Sequence, residues 1–412
     1  MEKQKSSELI KSVPPLGPDG AGIYIHIPFC KQACHYCDFH FSTSMGKKEA
    51  MINALCKELK LRREEFKDEI VETIYFGGGT PSVLEAAEIE LLINAVYKNY
   101  SVSENPEITL EANPDDLTSA PLSQRPDVTE RSRSDLLLKN YKKVGINRLS
   151  IGIQSFFEED LKLMNRAHSA KEATEALSLA NRHFNNISID LIYGMPNMTN
   201  QRWIKNIEKA LTFKIPHISS YALTVEPNTA LANFVKKGLI KPVDDEVAQE
   251  HFNILNETLS NAGYSCYEIS NFGKPGFFSK NNSAYWQQKK YIGIGPSAHS
   301  FDGDRRGWNI NNNPKYIKAI ETGELPMEVE VLSLRDKYNE YVMTGLRTIW
   351  GVSISRIESE FGHKYREYLV LQAKKHLDEH LLYLDGDTLL TTQKGKFLAD
   401  GIASDLFMVK LK

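Results

Sequence analysis

Between Ile23 and Leu223 short apolar, β-branched runs alternate with longer stretches of helical periodicity, and this alternation constrains the fold more than any other feature. Six strands are expected: IYIHI from Ile23, TIYF from Thr73, EITL from Glu107, RLSIGI from Arg148, ISIDLI from Ile187 and HISSYAL from His217. They read as near-continuous apolar runs, the pattern of parallel strands covered on both faces, with helices fitting between them. Lys47 to Phe66 sets Met51, Leu55 and Leu59 on one helical stripe. The next helix is expected to open in PSVLE, where Ser82 and Glu85 stand at capping-box spacing. Six strand–helix units favour a parallel α/β barrel, open or incomplete, over a flat doubly wound sheet.

Two regions break the alternation. Residues 118–134, TSAPLSQRPDVTERSRS, are polar with two prolines and are expected to form a mobile surface insertion. Residues 236–327 are mixed, turn-rich in NFGKPGFFSKNN and Gly-rich in YIGIGPSAHSFDG, and are expected to connect and cover the barrel. From 328 to 412 helical patterns lead into LLYLDGDTLLTTQKG, a hairpin turning at Asp385-Gly386, which indicates a small winged-helix-like domain. Residues 1–20 read as a disordered lead-in to a barrel core over 21–235. A formal charge of −3 argues against a nucleic-acid reader and for a packing role of the last domain. With no transmembrane stretch and no apolar export region, the expected location is cytoplasmic.

The chemistry is concentrated at the end of the first strand. In YIHIPFCKQACHYCDF, three of the chain's 5 cysteines, Cys30, Cys34 and Cys37, are spaced C-x3-C-x2-C. An odd cysteine count without an export signal points away from a disulfide framework and toward metal-binding or reactive thiols. A structural zinc ion wants four ligands, and His26, His35 or His40 could supply the fourth. An iron-sulfur cluster on three thiolates leaves one iron open to an exchangeable ligand, the mark of a reactive site.

Further polar groups stand at or near later strand ends. FGGGTP places Gly77–Pro81 where backbone can approach a ligand closely, although a tight turn explains glycines equally well. Glu111 in LEANP, Gln154 in IGIQSF and Asp190 in SIDLIYGMP follow, with Arg166 of MNRAH on the expected next helix. α/β barrels carry their active sites on this rim.

These residues resemble those of the radical S-adenosylmethionine (SAM) enzymes: C-x3-C-x2-C, the aromatic Tyr36 before the last Cys, and a downstream GGGTP. The longer strings EANPDD, NRLSIGIQSF, DLIYGMP and YALTVEPNT resemble the branch of oxygen-independent coproporphyrinogen III oxidase and the HemW haem chaperones, from about Tyr24 to near the C-terminus. The resemblance implies a partial (β/α)6 barrel with a [4Fe-4S] cluster on Cys30, Cys34 and Cys37. It implies SAM contacts from Tyr24, Tyr36, Gly78, Gly79, Thr80, Glu111, Gln154, Arg166 and Asp190. Arg166 suits the SAM carboxylate, and Gln154 and Asp190 suit ribose hydroxyls.

Within that branch the sequence departs from the oxidase pattern. The oxidases carry a further Cys two positions past the third, where this chain has Phe39, and a longer arm before the motif. The resemblance therefore implies a haem chaperone of the HemW type, which would take haem as cargo and need an acceptor protein and an electron donor. The oxidase itself, or another radical SAM enzyme such as a methyltransferase, is the alternative. The family's haem-associated H-N-x-x-Y-W reads here NNSAYW: Asn281 replaces the His, while Asn282, Tyr285 and Trp286 are retained. An amide is a poor iron ligand, so His299 or Cys266 would have to coordinate. Each also has a plain reading, a turn-ordering His and a core Cys.

Overall fold

All six expected strands form, in chain order and in one direction. The computed structural model describes residues 20–118 and 130–409. In it β1 (Gly20–Ile27), β2 (Ile70–Gly78), β3 (Val102–Ala112), β4 (Arg148–Gln154), β5 (Ile187–Tyr193) and β6 (His217–Ala222) pair parallel in succession. Residues 236–327, expected to cover the barrel, also extend both edges of the same sheet. On one side β8 (Asn271–Gly273) adds antiparallel to β6, and β7 (Ser265–Glu268) pairs antiparallel with β8 at the outer edge. On the other, β9 (Tyr291–Ile294) pairs parallel with β1, followed by β10 (His299–Phe301), β11 (Arg305–Asn309) and β12 (Met327–Val331). The order β12-β11-β10-β9-β1-β2-β3-β4-β5-β6-β8-β7 leaves the barrel open.

The barrel strands are less uniformly apolar than their sequences suggest. On β4, Leu149, Ile151 and Ile153 join the main core while Ser150, Gly152 and Gln154 face a cavity. Every residue of that strand is buried, so burial alone hides this polar-inward alternation. On the helix Lys48–Leu61, Met51, Leu55 and Leu59 are fully buried, as the stripe requires. Each such side chain contributes roughly 1.5–3 kcal/mol.

Three local expectations are corrected. The helix after β2 spans Ala86–Asn99, and its capping box is Glu85 with Glu88, not Ser82 with Glu85. The Ser82 hydroxyl is occupied elsewhere: it donates to Asp116 Oδ2 at 2.6 Å and accepts from Asn113 N–H at 3.1 Å. The insertion is shorter than its polarity suggests. Residues 119–129 lie outside the described residues, as do 1–19, but a helix already runs over Glu130–Lys143, and buried Ser134 donates to Thr118 O at 2.8 Å. Finally, Arg166 is not helical; it lies in the loop after the short helix Glu158–Leu163, next to Asn165 in the left-handed region (φ 56°).

The last segment has its own apolar cluster, built from Tyr338, Val342, Leu346, Val352, Ile357, Leu369, Leu382 and Leu389 among others. Helices Leu334–Leu346, Ile354–Phe361 and His363–Asp378 pack on a sheet of β13 (Val352–Ser353), β14 (Leu382–Asp385) and β15 (Thr388–Thr391). The β14–β15 hairpin turns at Gly386 (φ 60°), as expected. No helix among the described residues is long and apolar enough to cross a membrane.

Candidate functional site

The cysteine loop leaves β1 at Ile27 and is held from several sides. Gly79 N–H donates to Ile27 O at 2.9 Å and Thr80 N–H to Phe29 O at 2.7 Å, which fastens the loop's root to the end of β2. Its middle is held by His35 N–H to Met164 O (3.0 Å), by Leu231 N–H to His35 O (2.8 Å) and by Asn165 Nδ2 to Ala33 O (2.7 Å). Lys31 is ion-paired with Asp115 and Asp116. The glycines of FGGGTP are required by this fit. A Cβ on Gly78 (φ 103°) would meet the His26 ring at 2.4 Å, and one on Gly79 would meet Phe29 O at 2.6 Å.

Cys30, Cys34 and Cys37 are partly exposed and line one cavity of about 670 Å3. Burial pushes the Cys30 thiol up and that of Cys37 to about 11, so a metal must displace their protons. Among the described residues no three His, Cys, Asp or Glu side chains converge as a single metal ion would need. Of the histidines proposed as a fourth zinc ligand none lines the thiols' cavity, and each makes a hydrogen bond of its own. His26 Nε2 meets His40 O at 2.9 Å, His35 Nδ1 meets Leu163 O at 3.0 Å and His40 Nε2 meets Asn313 Oδ1 at 2.7 Å. Three thiols on one wall with no imidazole turned toward them suit a multi-iron cluster, one iron per thiolate.

The same cavity gathers Tyr36, Gly78, Gly79, Thr80, Glu111, Gln154, Arg166 and Asp190. Arg166 reaches Cys34 Sγ at 3.4 Å and Tyr36 Oη at 3.5 Å, and donates to Asn113 Oδ1 at 2.7 Å and Gly152 O at 3.0 Å. Thr80 Oγ1 lies 3.5 Å from Cys30 Sγ. Gln154 closes β4 in the left-handed region (φ 63°), strain of the kind that concentrates at functional sites. Burial raises Glu111 to about 7 and Asp190 to about 6; the Tyr75 hydroxyl donates to Glu111 Oε1 at 2.7 Å. Two carboxyls raised toward neutral pH are poised to ionise fully against a cationic ligand. Asn113 was missed in the sequence, although it stands two residues past Glu111 on the same rim and joins Arg166 to Thr80.

A second cavity of about 920 Å3 lies across the cysteine loop, and Asp38 and Phe39 border both. Tyr24 faces this second space with its hydroxyl 3.3 Å from His26 Nδ1, unlike the other expected SAM contacts. Tyr285, Trp286 and His299 line it too, whereas Asn282 does not. Asn281 is buried away from it: Thr73 Oγ1 donates to its Oδ1 at 3.0 Å and its N–H donates to Glu107 at 3.0 Å. Cys266 is a core thiol donating to Glu268 O at 3.3 Å. His299 orders no turn; it is exposed at the start of β10.

The C-terminal segment contributes to both cavities. Arg347 and Lys396 line the far end of the first, with Arg347 paired to Glu268 at 2.9 Å and to Asp400 at 2.5 Å. Glu340 and Met343, on the helix Leu334–Leu346, wall the second.

Comparisons with known proteins follow the same outline. The description "Radical SAM superfamily" matches residues 24–210, and "HemN C-terminal domain" matches residues 332–398. The "Heme chaperone HemW" of Lactococcus lactis subsp. lactis (strain IL1403) is 34% identical over 390 residues, covering 92% of this chain and 97% of its own. The mouse "Radical S-adenosyl methionine domain-containing protein 1, mitochondrial" is 31% identical over 398 residues, covering 93% and 86%. The solved structure of Escherichia coli coproporphyrinogen III oxidase (HemN), a radical SAM enzyme, superposes with a TM-score of 0.79 at 21% identity over 98% of this chain and 93% of that one. At that identity the likeness is one of fold.

Proposed function

The chain belongs to the radical SAM superfamily, in the branch of the HemW relatives, and on that premise we propose that it binds haem and passes it to an acceptor protein while carrying a [4Fe-4S] cluster and SAM. Cys30, Cys34 and Cys37 would hold the cluster, a donor set with one thiolate for each of three irons. Arg166, lying 3.4 Å from Cys34 Sγ, would meet the SAM carboxylate beside the open iron. Glu111, Gln154 and Asp190 offer acceptors for its ammonium and ribose hydroxyls. When bound, this pair supplies one-electron reductive cleavage of a sulfonium bond. The protein's part is to orient the cofactor and keep water from it, which the buried rim serves.

The observation that carries the haem reading is the second cavity. It is separate from the thiols' cavity, falls within the size range of cofactor sites, and is walled by Tyr24, Tyr285, Trp286, Tyr291 and Phe301. Phe39, 68% exposed, stands at its border where the oxidase pattern carries another Cys. A second reading, a radical enzyme acting on its own substrate, draws on the length of the first cavity, which runs past the SAM residues to Thr224, Arg347 and Lys396. We place the protein in the cytoplasm with an acceptor and an electron donor as partners.

An anaerobic assay on cluster-loaded protein separates the two readings. With coproporphyrinogen III, SAM and a strong reductant, no protoporphyrinogen should form, and haem titration should saturate at one equivalent. Protoporphyrinogen over many turnovers would establish the oxidase and overturn the chaperone reading.

A further inference from the structure

Three imidazoles line the second cavity, those of His26, His40 and His299. His26 is held through both ring nitrogens, to Tyr24 and to the His40 carbonyl, while His40 engages Nε2 alone, with Asn313 at 2.7 Å, and its ring lies 6.2 Å from that of His26. Among the described residues His299 alone of the three has no hydrogen bond to its ring nitrogens. Its ring lies 6.1 Å from the Trp308 ring centroid on the neighbouring strand. Although His299 is exposed at its edge, partial desolvation of the ring and nearby Arg306 lower its pKa, and the neutral imidazole is the form that coordinates metals.

The strand register places a cation at a useful remove from this imidazole. In the β10–β11 pair His299 faces Trp308 and Phe301 faces Arg306, so His299 and Arg306 are diagonal neighbours on one face. Their Cβ atoms start within about 7–8 Å of each other on that face, so an imidazole and a longer guanidinium side chain can reach the centre and the rim of one planar ring. The sequence-matched alternative fails on geometry, because Asn281 is buried against Thr73 and Glu107.

We propose that His299 is the axial iron ligand for haem in the second cavity and that Arg306 anchors one of its propionates. This rests on the haem-carrier reading and specifies its site. The remaining lining opposes a tight hold: Asp38, Glu330, Asp336 and Glu340 are acidic, and Glu340 pairs with Arg306 at 3.0 Å. One anchored propionate, with the other turned to solvent, fits that charge pattern and fits a site that must release its cargo.

The test is titration of the full-length protein with haem and with metal-free protoporphyrin, followed by Soret absorbance and electron paramagnetic resonance. Wild type should show an imidazole-ligated spectrum and prefer haem over the metal-free ring. His299→Ala should lose that spectrum and weaken haem at least about tenfold, since even outer-shell partners of metal sites are worth about 10–100-fold. Its affinity for protoporphyrin should stay unchanged. An unaltered spectrum in His299→Ala, or equal weakening toward both rings, would overturn the assignment while leaving the carrier reading intact. No saturable haem binding by wild type would overturn both. Should His299→Ala not fold, His299→Met serves, because a thioether ligand must change the spectrum; an unchanged spectrum again refutes it. Arg306→Gln should weaken haem but not its dimethyl ester, and equal weakening of both would remove Arg306 from the site.

Discussion

The two cavities share the border residues Asp38 and Phe39 and are built on opposite plans. The first stands largely on the ends of parallel strands, and its polar groups are fixed by one another: Arg166 by Asn113 and Gly152, Glu111 by Tyr75, Thr80 against Cys30. The second lies between the β9–β12 extension and the C-terminal helix Leu334–Leu346, joined there by partly exposed ion pairs such as Arg306–Glu340 and Lys337–Asp304. Rigid strand ends suit a resident cofactor that must be held in one geometry. A seam between two packed units suits a ligand that has to leave.

The largest expected effect breaks that contrast most sharply. Replacing Cys30, Cys34 or Cys37 with Ala should abolish cluster assembly, read by iron and sulfide analysis, while haem titration of the second cavity persists; retained cluster in any of the three variants removes that Cys from the ligand set. Next is Gly78→Ala, which should damage both cavities, because the new methyl would strike His26, a residue of the second, from a strand end of the first. Strain at such a position costs on the order of 1–3 kcal/mol, and urea unfolding with an unchanged midpoint would refute the clash.

Within the first cavity, Arg166→Ala should weaken SAM by about 10–100-fold, the loss of charge-assisted hydrogen bonds worth roughly 1.5–3 kcal/mol. The cluster should remain, and equal SAM affinity by calorimetry would exclude Arg166. The two carboxyls give a pH test with a defined sign. Burial raises Glu111 from 4.5 to about 7 and Asp190 from 3.8 to about 6, so between about 4 and 7 these two sites hold more protons in the folded chain than in the unfolded one. Their contribution to the stability of the ligand-free protein should therefore fall as pH rises through that window and flatten above it, against the opposite contribution of the buried, neutral His26 and His168. Glu111→Gln should remove the Glu111 share of that slope, and a slope identical to wild type would show that folding leaves the proton affinity of Glu111 unchanged.

The barrel was legible because β-branched runs and helical stripes differ in period, and the thiol site because its three ligands sit within one loop. Residues that meet only through the fold were harder to read. Asn113 joins Arg166 to Thr80, yet in sequence it is an ordinary residue before Pro114. Ser82 looked like a helix cap because spacing carries no information about Asp116, the group that takes its hydroxyl. The edge strands β7–β12 are three to five residues long, too short to show a period, so their joining both sheet edges was invisible. Tyr24 belongs to the family's cysteine string but turns to the second cavity, as does His26, the next inward position on β1.

The smallest effect tests whether the second cavity is a releasing site. Glu340 is drawn up by burial and paired with Arg306 at 3.0 Å, the two side chains 25% and 36% exposed. A pair that exposed is worth only about 0–1 kcal/mol, so Glu340→Gln should leave the unfolding midpoint almost unmoved. It should nevertheless free Arg306 for a propionate and remove one acidic group from the lining. Haem affinity should rise by up to about fivefold, the binding equivalent of that energy, and dissociation to an apo-globin trap should slow in proportion. The dimethyl ester of haem, which offers Arg306 no carboxylate, should not share the gain. A gain shared by both ligands would mean that the helix Leu334–Leu346 has moved and widened the seam. A loss with haem alone would mean that Glu340 orients Arg306 for the cargo and does not compete with it. Only a gain confined to haem is consistent with a cavity whose charges keep its ligand easy to surrender.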